Sequence, residues 1–127
     1  MLIAQVCKKY DLTADTIRYY ERIGLLPTIP RTENGIRNFN EESCKWIEFI
    51  KCMRNAGMEI DILLEYVNLF KKGKCTVQAR KELLQEQREK LAQKQKNINT
   101  TIERLDYKLE LYDEIISGKR KDFTETI

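Results

Sequence analysis

Val77, Leu84, Leu91, Ile98, Leu105 and Tyr112 stand seven positions apart without a break. Nothing else in the chain restricts its fold as strongly, because a helix keeps residues at that spacing on one narrow seam. Ile102, Leu109 and Ile116 supply the second seam position towards the C-terminus, whereas Arg88 and Gln95 occupy it earlier. Residues 74–117 are therefore expected to form one helix, about 60 Å long at ~1.5 Å per residue. The small segment before it cannot bury so long and narrow a seam, so the expected partner is a second copy of the chain. Leu84, Leu91, Ile98, Ile102, Leu105, Leu109 and Tyr112 are the expected dimerisation residues. A strict heptad implies left-handed supercoiling, but it leaves parallel and antiparallel pairing open. Residues 118–127 are expected to be a charged tail.

The preceding residues, 1–73, read as a small, mostly helical head. Ile3, Val6, Cys7 and Tyr10 recur at i, i+3, i+4 and i+7, the mark of one apolar helix face. That helix should end near Asp11. Thr13 can cap a second helix, with Asp15 complementing its positive end, and Gly24 stands where a left-handed residue would close it. Two short helices joined by a tight turn make a helix-turn-helix candidate. Pro27 and Pro30 then break the helical pattern. Asn34-Gly35 predicts a type I′ turn between short strands, roughly 28–31 and 36–39, giving a β-hairpin wing. Asn40, followed by Glu41 and Glu42, caps a third helix carrying Trp46, Ile47, Phe49, Ile50 and Met53 and ending at Ala56-Gly57. A fourth helix carries Ile60, Leu63, Leu64, Val67 and Phe70, and stops before Gly73.

Composition removes several functional classes. The 127 residues include 23 Lys and Arg against 20 Asp and Glu, so any nucleic-acid contact must come from locally placed cations rather than a polybasic tail. The chain has 4 Cys and no His, and Cys7, Cys44, Cys52 and Cys75 contain no CxxC pair, so neither a metal site nor a cofactor is expected. An enzyme is not expected either, since His, a Gly-rich phosphate loop and an isolated carboxylate pair are all missing. With no apolar run of about 18 residues and no leader pattern at Met1, the expected setting is cytoplasmic, without a membrane partner. Reduced thiols follow from that setting.

The run Thr13-Ala14-Asp15-Thr16-Ile17-Arg18-Tyr19-Tyr20-Glu21-Arg22-Ile23-Gly24-Leu25-Leu26 closely resembles the recognition segment of MerR-type transcription regulators. Arg31-Thr32-Glu33-Asn34-Gly35-Ile36-Arg37-Asn38-Phe39 looks like that family's wing, with Ile36 where many relatives carry Tyr. The terminal helix resembles its dimerisation helix, so the likeness runs from about Ile3 to Ile116. It implies a homodimer joined by an antiparallel coiled coil, bound to a pseudo-palindromic operator in double-stranded promoter DNA. It also implies activation by distorting a promoter spacer too long for RNA polymerase. Trp46-Ile47-Glu48-Phe49-Ile50-Lys51-Cys52-Met53-Arg54-Asn55-Ala56-Gly57 is similar to the matching helix of the aldehyde-responsive AdhR-like and NmlR-like subgroup. In that subgroup, a cysteine matching Cys52 is implicated in sensing reactive aldehydes.

Thr16, Arg18, Tyr19, Tyr20, Arg37 and Lys45 are the expected DNA-binding residues. Arg18 and Tyr19 lie on the outer face of the second helix, where an arginine can bond a guanine edge bidentately. Arg37, leaving the wing, suits a phosphate. Tyr20 reads equally well as core, and Lys45 as a solvated charge. At 100° steps from Trp46, Ile50 and Met53 fall within about 40° of it, Phe49 at about 60° and Cys52 at about 120°, beside Lys45. Cys52 therefore sits at the edge of the apolar face, and Cys44, nearly opposite Trp46, is expected in solvent. Cys7 reads as a small buried apolar residue. The resemblance to that subgroup makes Cys52 the expected sensing residue; from its place on the helix alone it reads as an inert, half-buried thiol. Two alternatives stay open: a metal or redox sensor using Cys75 with another thiol, and a coiled-coil adaptor that reads no DNA sequence.

Overall fold

A computed structural model describes residues 1–120; of the expected tail, 121–127 lie outside the described residues. The described chain is helical: α1 (Ile3–Tyr10), α2 (Ala14–Arg22), α3 (Glu41–Asn55), α4 (Ile60–Lys71), a short 3₁₀ turn (Lys74–Thr76) and α5 (Val77–Ile116). It divides into two compact units, Met1–Leu84 and a second that begins at Gln85.

Local chemistry sets the limits of each helix in the first unit. Asp11 closes α1 at φ 53°, and its N–H donates to the Cys7 carbonyl. Thr13 Oγ1 accepts from the Thr16 N–H at 3.1 Å, capping α2. A cap of this kind contributes about 1 kcal/mol. At the far end Gly24 takes φ 84°, which an L side chain would resist. The Gly24 N–H then reaches the Glu21 carbonyl and the Leu25 N–H the Tyr20 carbonyl, at 3.2 and 2.9 Å. These two bonds satisfy carbonyls that the helix end leaves open. The same pair of bonds closes α3 at Gly57 and Met58, and Asn40 Oδ1 caps its start by accepting from the Ser43 N–H at 2.8 Å.

The core of the first unit joins all four short helices. Val6, Ile17, Leu25, Phe39, Ile47, Ile50, Leu63 and Val67 are each 2% exposed or less. Lys51 crosses from α3 to donate its ammonium to the Tyr10 carbonyl, holding the C-terminus of α1. The unit runs beyond Gly73, the expected boundary, to Leu84. Thr76 explains part of this: its hydroxyl lies 2.6 Å from the Leu69 carbonyl and 2.8 Å from that of Gly73. Arg80 Nε donates to Thr76 Oγ1 at 3.1 Å, with its guanidinium 5.0 Å from the Phe70 ring centroid.

Two expectations need correction. The segment from Thr28 to Phe39 forms a single antiparallel bridge, Arg31 to Arg37, rather than two strands. Its turn is not type I′, because Asn34 is not among the positive-φ residues and only Gly35, at φ 79°, takes that conformation. The Gly35 N–H donates to the Thr32 carbonyl at 2.9 Å, and the Thr32 N–H to the Ile36 carbonyl at 2.7 Å. That pattern suits a three-residue hairpin loop closing on a left-handed glycine. Thr32 favours it by accepting the Ile36 N–H on its hydroxyl.

The second correction concerns α3. Its most buried side carries Ser43, Cys44, Ile47 and Ile50, not Trp46. Trp46 and Phe49 instead meet Tyr66 and Phe70 of α4 in an aromatic cluster, with centroid separations of 4.9–6.1 Å. Two neighbours claim two faces of one helix, so the direction taken from Trp46 alone misses the head core by roughly a quarter turn.

The helix α5 spans 40 residues. Within the second unit its seam residues are open to solvent in this single chain: Ile98 is 59% exposed, Ile102 48%, Leu105 53% and Leu109 62%. Three exposed turns of apolar residues are unusual for a helix without a partner. No helix among the described residues is long and apolar enough to cross a membrane.

Candidate nucleic-acid interface

Within the first unit, α2 has one buried and one open face. Ile17 and Tyr20 point into the core, while Arg18, Tyr19 and Arg22 are exposed. Arg18 stays half-exposed, with its guanidinium 3.4 Å from Asp15 one turn earlier. An exposed pair of this kind is weak, so Arg18 can exchange Asp15 for another acceptor. Tyr19 is 39% exposed, and Arg22 stacks over its ring at 5.3 Å. Arg18, Tyr19 and Arg22 thus form a cationic and aromatic strip along one side of a short helix. Arg22 was not among the expected contacts. Its i+3 and i+4 spacing from Tyr19 and Arg18 is the signal that would have included it.

The other expected contacts divide. Tyr20 is 8% exposed and packs in the core. The Thr16 hydroxyl lies 2.8 Å from that of Thr13, within the cap of α2. Lys45 is exposed on α3 and pairs with Glu41 at 3.7 Å. Arg37 is more constrained than a loop arginine usually is. Its Nε–H donates to Glu21 Oε1 at 2.9 Å, and the Arg31 guanidinium approaches the same oxygen at 3.6 Å. Arg31 also donates to the Gly35 carbonyl at 2.9 Å. Glu21 and Arg31 were missing from the expected site, because their pairing joins positions far apart in sequence.

One thiol, Cys44, is placed against expectation. Cys44, expected in solvent, is buried, with its Sγ 3.9 Å from Met1 Sδ. Burial, and Cys44 beside it, push the Tyr10 phenol above its ordinary value, with Lys9 opposing. Cys7 is partly buried against the core, and Cys52 and Cys75 are exposed. Cys52 lies three residues beyond Phe49, on the stripe of α3 that begins with Glu42, Lys45, Trp46 and Phe49. Those four residues, with Tyr66 and Phe70, line an open groove of about 300 Å³. Cys75 Sγ is 3.6 Å from the Lys72 carbonyl. Among the described residues, no group of three or more Cys, Asp or Glu is placed to hold a metal ion.

Residues 2–39 match the model of the MerR family regulatory protein, and residues 45–107 that of the MerR DNA-binding region. A MerR-family transcriptional regulator from Listeria monocytogenes is 42% identical, with a TM-score of 0.89 over 94% of this chain and 91% of that one. This chain belongs to the MerR family of DNA-binding transcriptional regulators. Within the family it falls in the AdhR-like and NmlR-like group. The regulator AdhR of Bacillus subtilis is 57% identical over 72% of this chain, although the match spans only 65% of AdhR's own length. HiNmlR, a MerR family regulator lacking the sensor domain and solved bound to promoter DNA, is 26% identical. Its TM-score is 0.84, over 91% of this chain and 92% of that one. The families and relatives matched are transcriptional regulators, not enzymes.

Proposed function

We propose that the protein is a homodimeric promoter-binding regulator that answers reactive aldehydes or similar electrophiles through Cys52. The observation that carries the DNA part is the open strip Arg18–Tyr19–Arg22 on α2, beside a loop whose base is tied to the same helix. In this reading α2 enters the major groove. Arg18 and Tyr19 meet base edges, Arg22 and Arg37 meet phosphates, and the loop from Arg31 to Arg37 acts as the wing. Thr16 and Lys45 are secondary backbone contacts. RNA polymerase is the proposed partner at the promoter. The resemblance to HiNmlR, whose solved form is bound to promoter DNA, supports promoter binding.

Dimerisation is assigned to α5 through Leu84, Leu91, Ile98, Ile102, Leu105, Leu109 and Tyr112, in an antiparallel coiled coil. Residues 1–73 serve as the DNA-binding head and residues 74–117 as the pairing helix. The open seam between Ile98 and Leu109 supports this assignment.

Cys52 is exposed, so a solute can reach it. Its thiol adds across the carbonyl of an aldehyde. A C–S bond forms, the C=O π bond breaks, and the oxygen takes a proton to give a hemithioacetal. The adduct stands one turn from Phe49, at the end of the stripe that packs on α4. Only an adduct that fits one arrangement of the heads better than the other changes promoter output. Bending the promoter costs about 1–6 kcal/mol, so a packing change of about 1–3 kcal/mol is enough to tip the balance.

The test is promoter activity with and without a small aldehyde in Cys7→Ser, Cys44→Ser, Cys52→Ser and Cys75→Ser. The response should vanish in Cys52→Ser alone, with operator affinity retained. An intact response in Cys52→Ser overturns the sensing assignment.

A further inference from the structure

Two arginines face each other across the base of the loop, Arg31 opposite Arg37, in the single antiparallel bridge of the first unit. Like charges directly opposite destabilise such a pairing. One oxygen of Glu21 answers both, at 2.9 Å from Arg37 Nε and 3.6 Å from Arg31. Glu21 and Arg37 are only 20% and 25% exposed in their side chains, so this ion pair is partly shielded from solvent. Glu21 belongs to α2, one helical turn beyond Arg18 on the element assigned to the major groove. The carboxylate therefore ties the loop to α2 at a fixed distance from the base-contacting residues.

The chemistry of the guanidinium makes the tie directional. Arginine offers five N–H donors in a rigid plane. Glu21 takes the one at Nε, and the terminal edge is the one that pairs bidentately with a phosphate. Holding Nε turns that edge in one direction.

We infer that Glu21 is a positioning residue for DNA recognition, aiming Arg37 at the backbone and offsetting the charge of Arg31 so that the loop does not bind duplex indiscriminately. This inference rests on the DNA-reading role of α2 proposed above. A carboxylate so placed weakens binding to any phosphate backbone, and its benefit lies in register. Removing its charge should raise affinity for every duplex, and removing the anchoring oxygen as well should erode preference among them, the reverse of what losing a direct contact does.

The experiment uses full-length protein and two probes, a duplex selected by the wild type from a random pool and a scrambled duplex of the same length, titrated over a range of salt. Glu21→Ala should lower the ratio of selected to scrambled binding by about tenfold without weakening the scrambled complex. Glu21→Gln keeps an oxygen for Arg37 Nε, so it should hold the ratio within about threefold. Its salt dependence should steepen by about one unit, the slope of one further phosphate. In Glu21→Ala/Arg37→Ala the ratio should fall no further than in Arg37→Ala, because the two residues act as one unit. Equal weakening of both duplexes in Glu21→Ala, or losses that simply add in the double variant, would overturn the assignment. Should Glu21→Ala not fold, an unchanged salt slope in Glu21→Gln overturns it. A wild type that selects no sequence removes the DNA reading itself, whereas a selective wild type with an unaltered ratio in Glu21→Ala removes only the role of Glu21.

Discussion

The indole of Trp46 meets the ring of Phe70 edge to face, with centroids 4.9 Å apart and planes at 82°. The pair joins α3 to α4, and Arg80 lies over the other partner's ring at the start of α5. Such a pair contributes about 0.5–1.5 kcal/mol beyond its buried area. Trp46 is the only tryptophan, so its fluorescence reports on this aromatic cluster. Phe70→Leu should shift the emission and lower stability by about 1 kcal/mol in urea unfolding. An unchanged spectrum would show that the contact is not formed in solution.

Self-association is expected to depend on α5. The full chain should sediment as a dimer at micromolar concentration. Leu105→Asp should sediment as a monomer, because an unpaired charge in a dry seam is strongly disfavoured. A monomeric wild type would remove the coiled-coil assignment.

Base reading is expected to concentrate in Arg18. Arg18→Ala should reduce discrimination against a single altered base pair by about 1–3 kcal/mol, the worth of a bidentate contact. Equal loss on selected and scrambled duplexes would make Arg18 a phosphate ligand instead.

The thiols should separate by access. Cys52 and Cys75 are exposed and should react with iodoacetamide within minutes, whereas Cys44 is buried and should react only as the head opens. Peptide mapping of a labelling time course decides this. Rapid labelling of Cys44 would contradict its placement in the core, and slow labelling of Cys52 would remove the access its sensing role requires.

Tyr10 gives an alkaline signature. Burial first, then Cys44, raises its phenol above the ordinary value of about 10. The folded state thus holds the proton more tightly than the unfolded state. Its stabilising contribution is full below the unfolded value and is lost as pH climbs through the raised one. Tyr10→Phe should flatten part of the fall in urea midpoint above about pH 10. An unaltered profile would place Tyr10 in a more hydrated setting.

What the sequence determined on its own is everything that depends on neighbours a few residues away. Thr13, Asn40, Gly24 and Gly57 bound the helices because caps and left-handed closures are local hydrogen-bond problems, and the heptad from Val77 to Tyr112 announced α5 by its period. Family membership was equally legible, since the segment from Thr13 to Leu26 carries it in one run. Tertiary structure alone decided which side of α3 is buried. The helix serves both the head core and the α4 aromatics, so its apolar residues point in two directions and periodicity cannot rank them. That is why Cys44 lies inside although a Trp46-centred wheel puts it in solvent. It also decided the role of Glu21. Sixteen residues separate Glu21 from Arg37, and no local pattern links a helix carboxylate to a loop arginine. Only the packing of the loop against α2 brings the two charges to 2.9 Å, where one arginine has both a protein anchor and an edge left for DNA.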